Sequence, residues 1–312
     1  MSEFFSVFSI GLFQNTLRAA TPVILAGLGV LMTDHVGIMN IGADGMMLTA
    51  AFFAVLGSCF LGSFLGGLGL ALAVGVLLGL FFALFVVKFK SDEYIIGVAL
   101  NIFAGGLTVF LLRTIFGVAG AFSGTDELPI HPMPVVHIPF IEDIPVLGDL
   151  LSGNTLLVYV SWIMVIVSYI VIYRTPVGFW MRAAGEDPEA LRAAGKSPEK
   201  MKYLASVICG MFAGLAGANL SLGYLTMFSE NMSASRGFIA VACVIFGGSN
   251  PLRVFLAALL FGFIDALGLR VQSFDISSNL TSLAPYLATV VMMVLVVWRK
   301  ERRQRRLDTP DM

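Results

Sequence analysis

Apolar runs of about bilayer length recur from near the start of this chain to near its end, and no other property restricts its fold so strongly. We read spans at Leu17–Met32, Ile38–Phe60, Phe64–Val87, Tyr94–Phe116, Leu156–Tyr173, Tyr203–Met227, Leu252–Leu269 and Pro285–Trp298, with a shorter run at Phe238–Phe246. An interfacial stretch from Phe4 precedes the first span. The short run cannot cross a membrane alone and is expected to form a half-helix or a re-entrant piece. The expected fold class is all-α, a polytopic transmembrane helical bundle of about eight or nine apolar segments, in one transmembrane domain over residues 1–312.

Composition agrees. The chain is 58% hydrophobic and only 12% charged, about half the charge of a soluble domain. The opening "MSEFFSVFSI" lacks the basic region of a secretory signal. Three cysteines (Cys59, Cys209, Cys243) lie apart in apolar surroundings, with no CxxC spacing, which argues against a disulfide framework or a zinc site. The three histidines are too scattered for a metal cluster.

The net charge of −1 hides an asymmetry. Lys88 and Lys90 share one short loop; Arg174, Arg182, Arg192, Lys196, Lys200 and Lys202 fill another; Arg253 starts a span, and the tail "RKERRQRR" holds six more. Alternating the spans puts these fifteen on one side, leaving Arg18, Arg113, Arg236 and Arg270 elsewhere. The positive-inside rule makes the basic side cytoplasmic. The loop Gly117–Asn154, which has no Lys or Arg, is then outside, as is the N-terminus, and the tail 299–312 is cytoplasmic. Inside the spans, Gly62/Gly66, Gly75/Gly79 and Gly210/Gly214 have the GxxxG spacing that lets helix backbones approach.

The longest basic loop, 174–202, is patterned. Pro188 suits the first turn of a short helix, Asp187 is placed to cap it, Glu189 adds charge at its positive end, and Gly195 can close it. Ser197-Pro198 begins another helix in the same way. The sequence "AGKSP" ends like a phosphate-binding loop, but alanine occupies position 190, where a glycine is required, and no strand precedes it. The loop reads either as a solvated connector or as a docking surface.

Polar residues inside apolar spans either bond one another and freed backbone groups or line a water-filled path. Asn40, Asp44, Asn101, Asn219, Glu230 and Asp265 are of this kind. In "NIGADG", Gly42 and Gly45 permit an irregular entry into the membrane, and Asn40 and Asp44 can bond the backbone it frees. Scaffold and gating joint is the favoured reading there, and substrate contact the other. Arg113 and Arg236 are placed to bond helix ends or to contact an external protein.

"AAGEDPEALRAAGKSPEK" resembles the coupling loop of ABC importer permeases. "VGIMNIGADGMMLTAAFFAV", "DEYIIGVALNIFAGGLTVFLL" and "SRGFIAVACVIFGGSNPLRVFLAALLFGFIDAL" resemble, in order, three blocks of the branch that contains the ribose, branched-chain amino acid and nucleoside permeases. Met39 and Asp44 depart from the commoner residues of the first block. The combination is most similar to the nucleoside-type permeases, with simple-sugar (pentose) permeases as the alternative.

The resemblance implies a non-enzymatic subunit of an ATP-driven importer in the bacterial cell (inner) membrane, without its own cofactor. ATP and Mg²⁺ belong to a separate ATP-binding subunit, docked on Gly185, Glu186, Asp187, Pro188, Ala190, Arg192, Ala193 and Gly195. Further expected partners are a second permease subunit, identical or related, a substrate-binding lipoprotein or periplasmic protein, and a small-molecule substrate. No nucleic-acid partner is expected. A hydroxyl-rich substrate needs amide and hydroxyl partners and aromatic faces, so Asn40, Asp44, Asn101, Phe103 and Asp265 are the substrate-pathway candidates. An ion-coupled secondary transporter would instead rely on a buried carboxylate, with Asp265 the main candidate. A membrane enzyme would want a His, Asp or Ser cluster at one interface, and the sequence offers none.

Overall fold

A computed structural model describes residues 10–137 and 152–271. In chain order the helices are α1 (Ile10–Asp34), α2 (Ala43–Leu61), α3 (Phe64–Ala83), α4 (Glu93–Phe116), α5 (Leu156–Arg174), α6 (Pro176–Glu186), α7 (Pro188–Ala193), α8 (Pro198–Ala218), α9 (Arg236–Gly247) and α10 (Pro251–Val271). Single π turns extend α3 over Leu84–Lys88 and α8 over Asn219–Tyr224. Seven helices are long and apolar enough to span a membrane, and α9 is the shorter apolar one. The span expected at Pro285–Trp298, residues 4–9 of the stretch from Phe4 and the basic tail lie outside the described residues, and the rest of that stretch is the first turns of α1.

The helix ends follow local chemistry. Gly62 turns left-handed at φ 61° to close α2, and the Ser63 side chain accepts from Gly66 N to open α3, so two residues make the hairpin. Asp92 caps α4 by accepting from Tyr94 N and Ile95 N, and Gly117 (φ 68°) ends it. The structure moves several expected boundaries: helix α1 begins at Ile10, before the apolar run expected from Leu17. Helix α2 begins at Ala43, because residues 38–42 enter the bundle as irregular backbone. Helix α8 begins at Pro198, five residues before the apolar run, because Ser197 caps it through Lys200 N.

Helices α1, α2 and α8 form the centre of the bundle. Phe52, Phe82, Phe228 and Phe261 are among its largest fully buried side chains. Two of the three GxxxG pairs face each other within the chain: a Cβ on Gly75 would collide with the Gly210 carbonyl, one on Gly210 with that of Gly75, and one on Gly214 would stand 2.8 Å from the Ala71 carbonyl. This contact fastens α3 to α8. The third pair does not act as a pair, since a Cβ on Gly62 would meet open space.

The basic loops gather at one end. Val86, Lys90, Glu189, Arg192, Glu199 and Lys202 line one groove of about 470 Å³ there, between the α3–α4 turn, α7 and the start of α8. At the opposite end, two-residue antiparallel pairs join β1 (Ala121–Phe122) to β4 (Phe228–Ser229) and β2 (Val135–Val136) to β3 (Asn154–Thr155). Glu230 accepts from Gly120 N at 3.0 Å and lies 3.8 Å from Arg113. Arg18 reaches the Gly153 carbonyl at 2.8 Å, tying α1 to the same end.

Candidate functional site

The connection from α1 to α2 leaves the basic end as irregular backbone, and side chains bond several of the groups it frees. Asn40 is fully buried. Its Oδ1 accepts from Gly42 N at 3.0 Å, and its Nδ2 donates to Cys209 Sγ at 3.3 Å and Met46 Sδ at 3.8 Å. Asn101 of α4 serves the same segment from outside: its Nδ2 donates to the Ile41 carbonyl at 3.0 Å, and its Oδ1 accepts from Gly45 N at 2.7 Å. One of the donors that a helix start leaves unpaired is thereby given its acceptor by another helix. The glycines allow the contact, since a Cβ on Gly45 would stand 2.8 Å from Asn101 Cα and one on Gly97 2.9 Å from Gly42 N.

Asp44 caps a different helix. Its Oδ1 accepts from Gly237 N at 2.9 Å and its Oδ2 from Ser233 Oγ at 3.0 Å. A carboxylate there meets the positive end of α9 and satisfies an orphan donor. Any Cβ on Gly237 would collide with the Asp44 backbone, so glycine is required for this approach. The preceding residue, Arg236, donates to Asp265 Oδ2 at 3.1 Å, fastening the start of α9 to α10. Helix α9 has 12 residues and extends about 18 Å from this cap to the basic end. That is roughly half a bilayer, so Asp44 lies deeper in the bundle than its place in the sequence suggests.

The structure thus brings Asn40, Asp44 and Asn101 to one joint, with Asp265 beside it through Arg236. Phe103 is not part of it. Two residues along a helix rotate the side chain by about 200°, and Phe103 is 56% exposed on the outer side of α4. It lines an apolar groove of about 570 Å³ with Leu77, Phe81, Phe85 and Ile96. Sequence reading missed Ser233, Gly237 and the contact of Cys209 with Asn40. The Arg236–Asp265 pair was within reach: one isolated base and one isolated acid in apolar surroundings each need a partner.

At the basic end, Asp187 accepts from Glu189 N and Ala190 N to start α7, Gly195 turns left-handed at φ 76°, and Ser197 opens α8. Arg192 pairs with Glu199 across the turn, which holds its already high pKa higher still. Glu186, Asp187, Glu189, Ala190, Arg192 and Ala193 present to the exterior, and Leu191 faces inward. Beside this loop, His35 lies edge-on to Tyr173, whose ring Arg182 covers at 5.4 Å. Ser249, just after α9, donates to the Asp34 carboxylate. Burial, reinforced by Arg182, pushes the His35 imidazole below its ordinary value against the opposing pull of Asp34. No group of three or more His, Cys, Asp or Glu converges as a metal site among the described residues.

A family model described as "Branched-chain amino acid transport system / permease component" matches residues 12–298. The chain is 34% identical over 300 residues to the guanosine ABC transporter permease protein NupQ of Bacillus subtilis, covering 92% of each. It is 33% identical over 314 residues to the putative glucose ABC transporter permease protein TsgC13 of Haloferax volcanii, covering 94% of each. It is 28% identical over 292 residues to the nucleoside ABC transporter permease protein NupC of Lactococcus lactis, covering 90% of each. No solved structure matches it significantly.

Proposed function

The chain belongs to the branched-chain amino acid transport system permease component family, and on that premise we propose that it conducts nucleosides through an ATP-driven importer. The family component is the permease, a multi-pass membrane protein, and in a bacterial cell its place is the inner membrane. Hydrolysis of ATP resides on a separate subunit, so this chain carries no catalytic residue. The nucleoside reading is supported by relatives named for guanosine and for nucleosides that align over nine-tenths of both chains. The glucose relative, of equal coverage, supports simple sugars as the second reading.

The observation that carries the proposal is the α6–α7–α8 unit. Two side-chain caps and a left-handed glycine build a short exposed helix at the basic end, rigid enough to be gripped. The ATP-binding subunit docks there, on Gly185–Gly195, with the basic side cytoplasmic. A second permease subunit completes the pathway, and a binding protein delivers substrate at the opposite end, where Arg113, Glu230 and residues 117–137 lie. Deletion of Asp187–Lys196 is expected to leave the chain inserted in the membrane but unable to co-purify the ATP-binding subunit. Normal co-purification after that deletion would refute the docking assignment.

A further inference from the structure

Both ends of α9 are held by carboxylates, and both carboxylates belong to one short connection. Asp44, at its end, caps the start of α9 through Gly237 N and Ser233 Oγ. Asp34, at its beginning, accepts from Ser249, two residues beyond the last residue of α9. Between them, the bend at residues 35–37 touches α6 backbone to backbone: a Cβ on Gly185 would stand 2.5 Å from the His35 carbonyl and 3.0 Å from Gly37 N. Gly185 lies two residues before the Asp187 cap of the exposed loop.

We propose that residues 34–44 act as a rocker, carrying displacement of the α6–α7 loop to α9, and that Gly185, Asp34 and Ser249 are positioning residues for transport. The proposal rests on reading that loop as the docking site of the ATP-binding subunit. The physical case has three parts. Close-packed backbone with no intervening side chain is poorly compressible and transmits a push with little loss. A helix held at both ends by one segment follows that segment as a body. At its start, α9 is also bound to α10 through Arg236 and Asp265, so the motion reaches a full-length helix. The joint formed by Asn40, Asp44 and Asn101 then lies at the moving end of the rocker.

The test uses the whole transporter in nanodiscs and proteoliposomes: this permease, its ATP-binding subunit, the partner permease subunit and the binding protein. Spin labels replace Leu77 on α3 and Phe238 on α9, both exposed. In the otherwise unmodified chain, ATP with vanadate shifts the distance between them. Ser249→Gly removes the hydroxyl without strain, since Ser249 has φ 56°. It is expected to abolish the shift and to lower uptake of labelled guanosine by about tenfold, while the ATP-binding subunit still co-purifies and hydrolyses ATP. Ser249→Asn, which keeps a donor and suits that backbone, retains the shift. Gly185→Ala, which would wedge a methyl group against the His35 carbonyl, is expected to abolish the shift and to lower uptake as well. An unaltered shift and full uptake in Ser249→Gly and Gly185→Ala would overturn the rocker. Failure of the ATP-binding subunit to co-purify with the unmodified chain would overturn the docking reading instead, and the rocker with it.

Discussion

Where α3 crosses α8, Gly75 and Gly79 lie against Gly210 and Ser206 with only backbone at the closest approach; where α2 meets α9, Gly237 lies against Asp44 and two hydrogen bonds cross the contact. Both are glycine-enabled approaches, yet they join different things. The first joins continuous helices whose backbone groups are already paired internally, and shape alone decides it. The second joins two helices that begin inside the bundle, where each free N–H needs an acceptor because the bilayer offers none. A hydrogen-bonded joint can exchange partners with water or a hydroxyl group. A glycine crossing that is forced apart has nothing to fill it. The first is a fastening and the second is a joint suited to move.

Substitutions distinguish the two. The largest expected effect is at the crossing: Gly210→Leu would drive a side chain into the Gly75 carbonyl and cost on the order of 3 kcal/mol. Size-exclusion profiles after heating should show little monodisperse protein, and a wild-type profile would break the claim of close contact. At the joint, Asp44→Ala leaves the Gly237 N–H and the Ser233 hydroxyl without an acceptor, for about 2 kcal/mol. Asp44→Asn, which keeps one acceptor oxygen, should lose roughly half of that. Melting temperatures of both variants equal to that of the unmodified chain would mean that the cap contributes nothing.

The Arg236–Asp265 pair is expected to matter less, because the two side chains remain 17% and 30% exposed. A double-mutant cycle with Asp265→Asn and Arg236→Gln should return a coupling of about 1 kcal/mol. A value several times larger would place the pair in a drier site than its exposure indicates. The smallest effect concerns His35. Its folded pKa lies below the ordinary 6.5, so below that pH the unfolded chain takes up a proton that the folded chain refuses. Stability is therefore full above 6.5 and falls as the pH drops toward the folded value. His35→Gln should flatten that slope in thermal unfolding between pH 7 and pH 5. An unchanged slope would assign it to other groups.

Much of the scaffold was legible because its causes are local. Long apolar runs, the Asp187 and Ser197 caps and the Pro188 helix start are written within a few residues of where they act. The glycine spacing announced close contacts but not that Gly75/Gly79 and Gly210/Gly214, over 130 residues apart, are each other's partners. The joint was legible only in part, for the same reason. "NIGADG" declared an irregular helix entry, yet the groups that complete it come from α4, α8 and the start of α9. Asn101 and Phe103 looked adjacent in sequence, and helical rotation sends them to different sides. Nothing near Asp44 in the chain signals that it caps a helix almost two hundred residues later.

Uptake by the reconstituted transporter tests the central claim most directly. Proteoliposomes containing this permease, its partner permease subunit and its ATP-binding subunit, supplied with the cognate binding protein, are offered labelled guanosine and labelled glucose in separate reactions. The account predicts guanosine uptake that requires ATP, is unaffected by collapse of ion gradients, and exceeds glucose uptake. Accumulation that persists without ATP and disappears with the ion gradient, or that is confined to glucose, would contradict it.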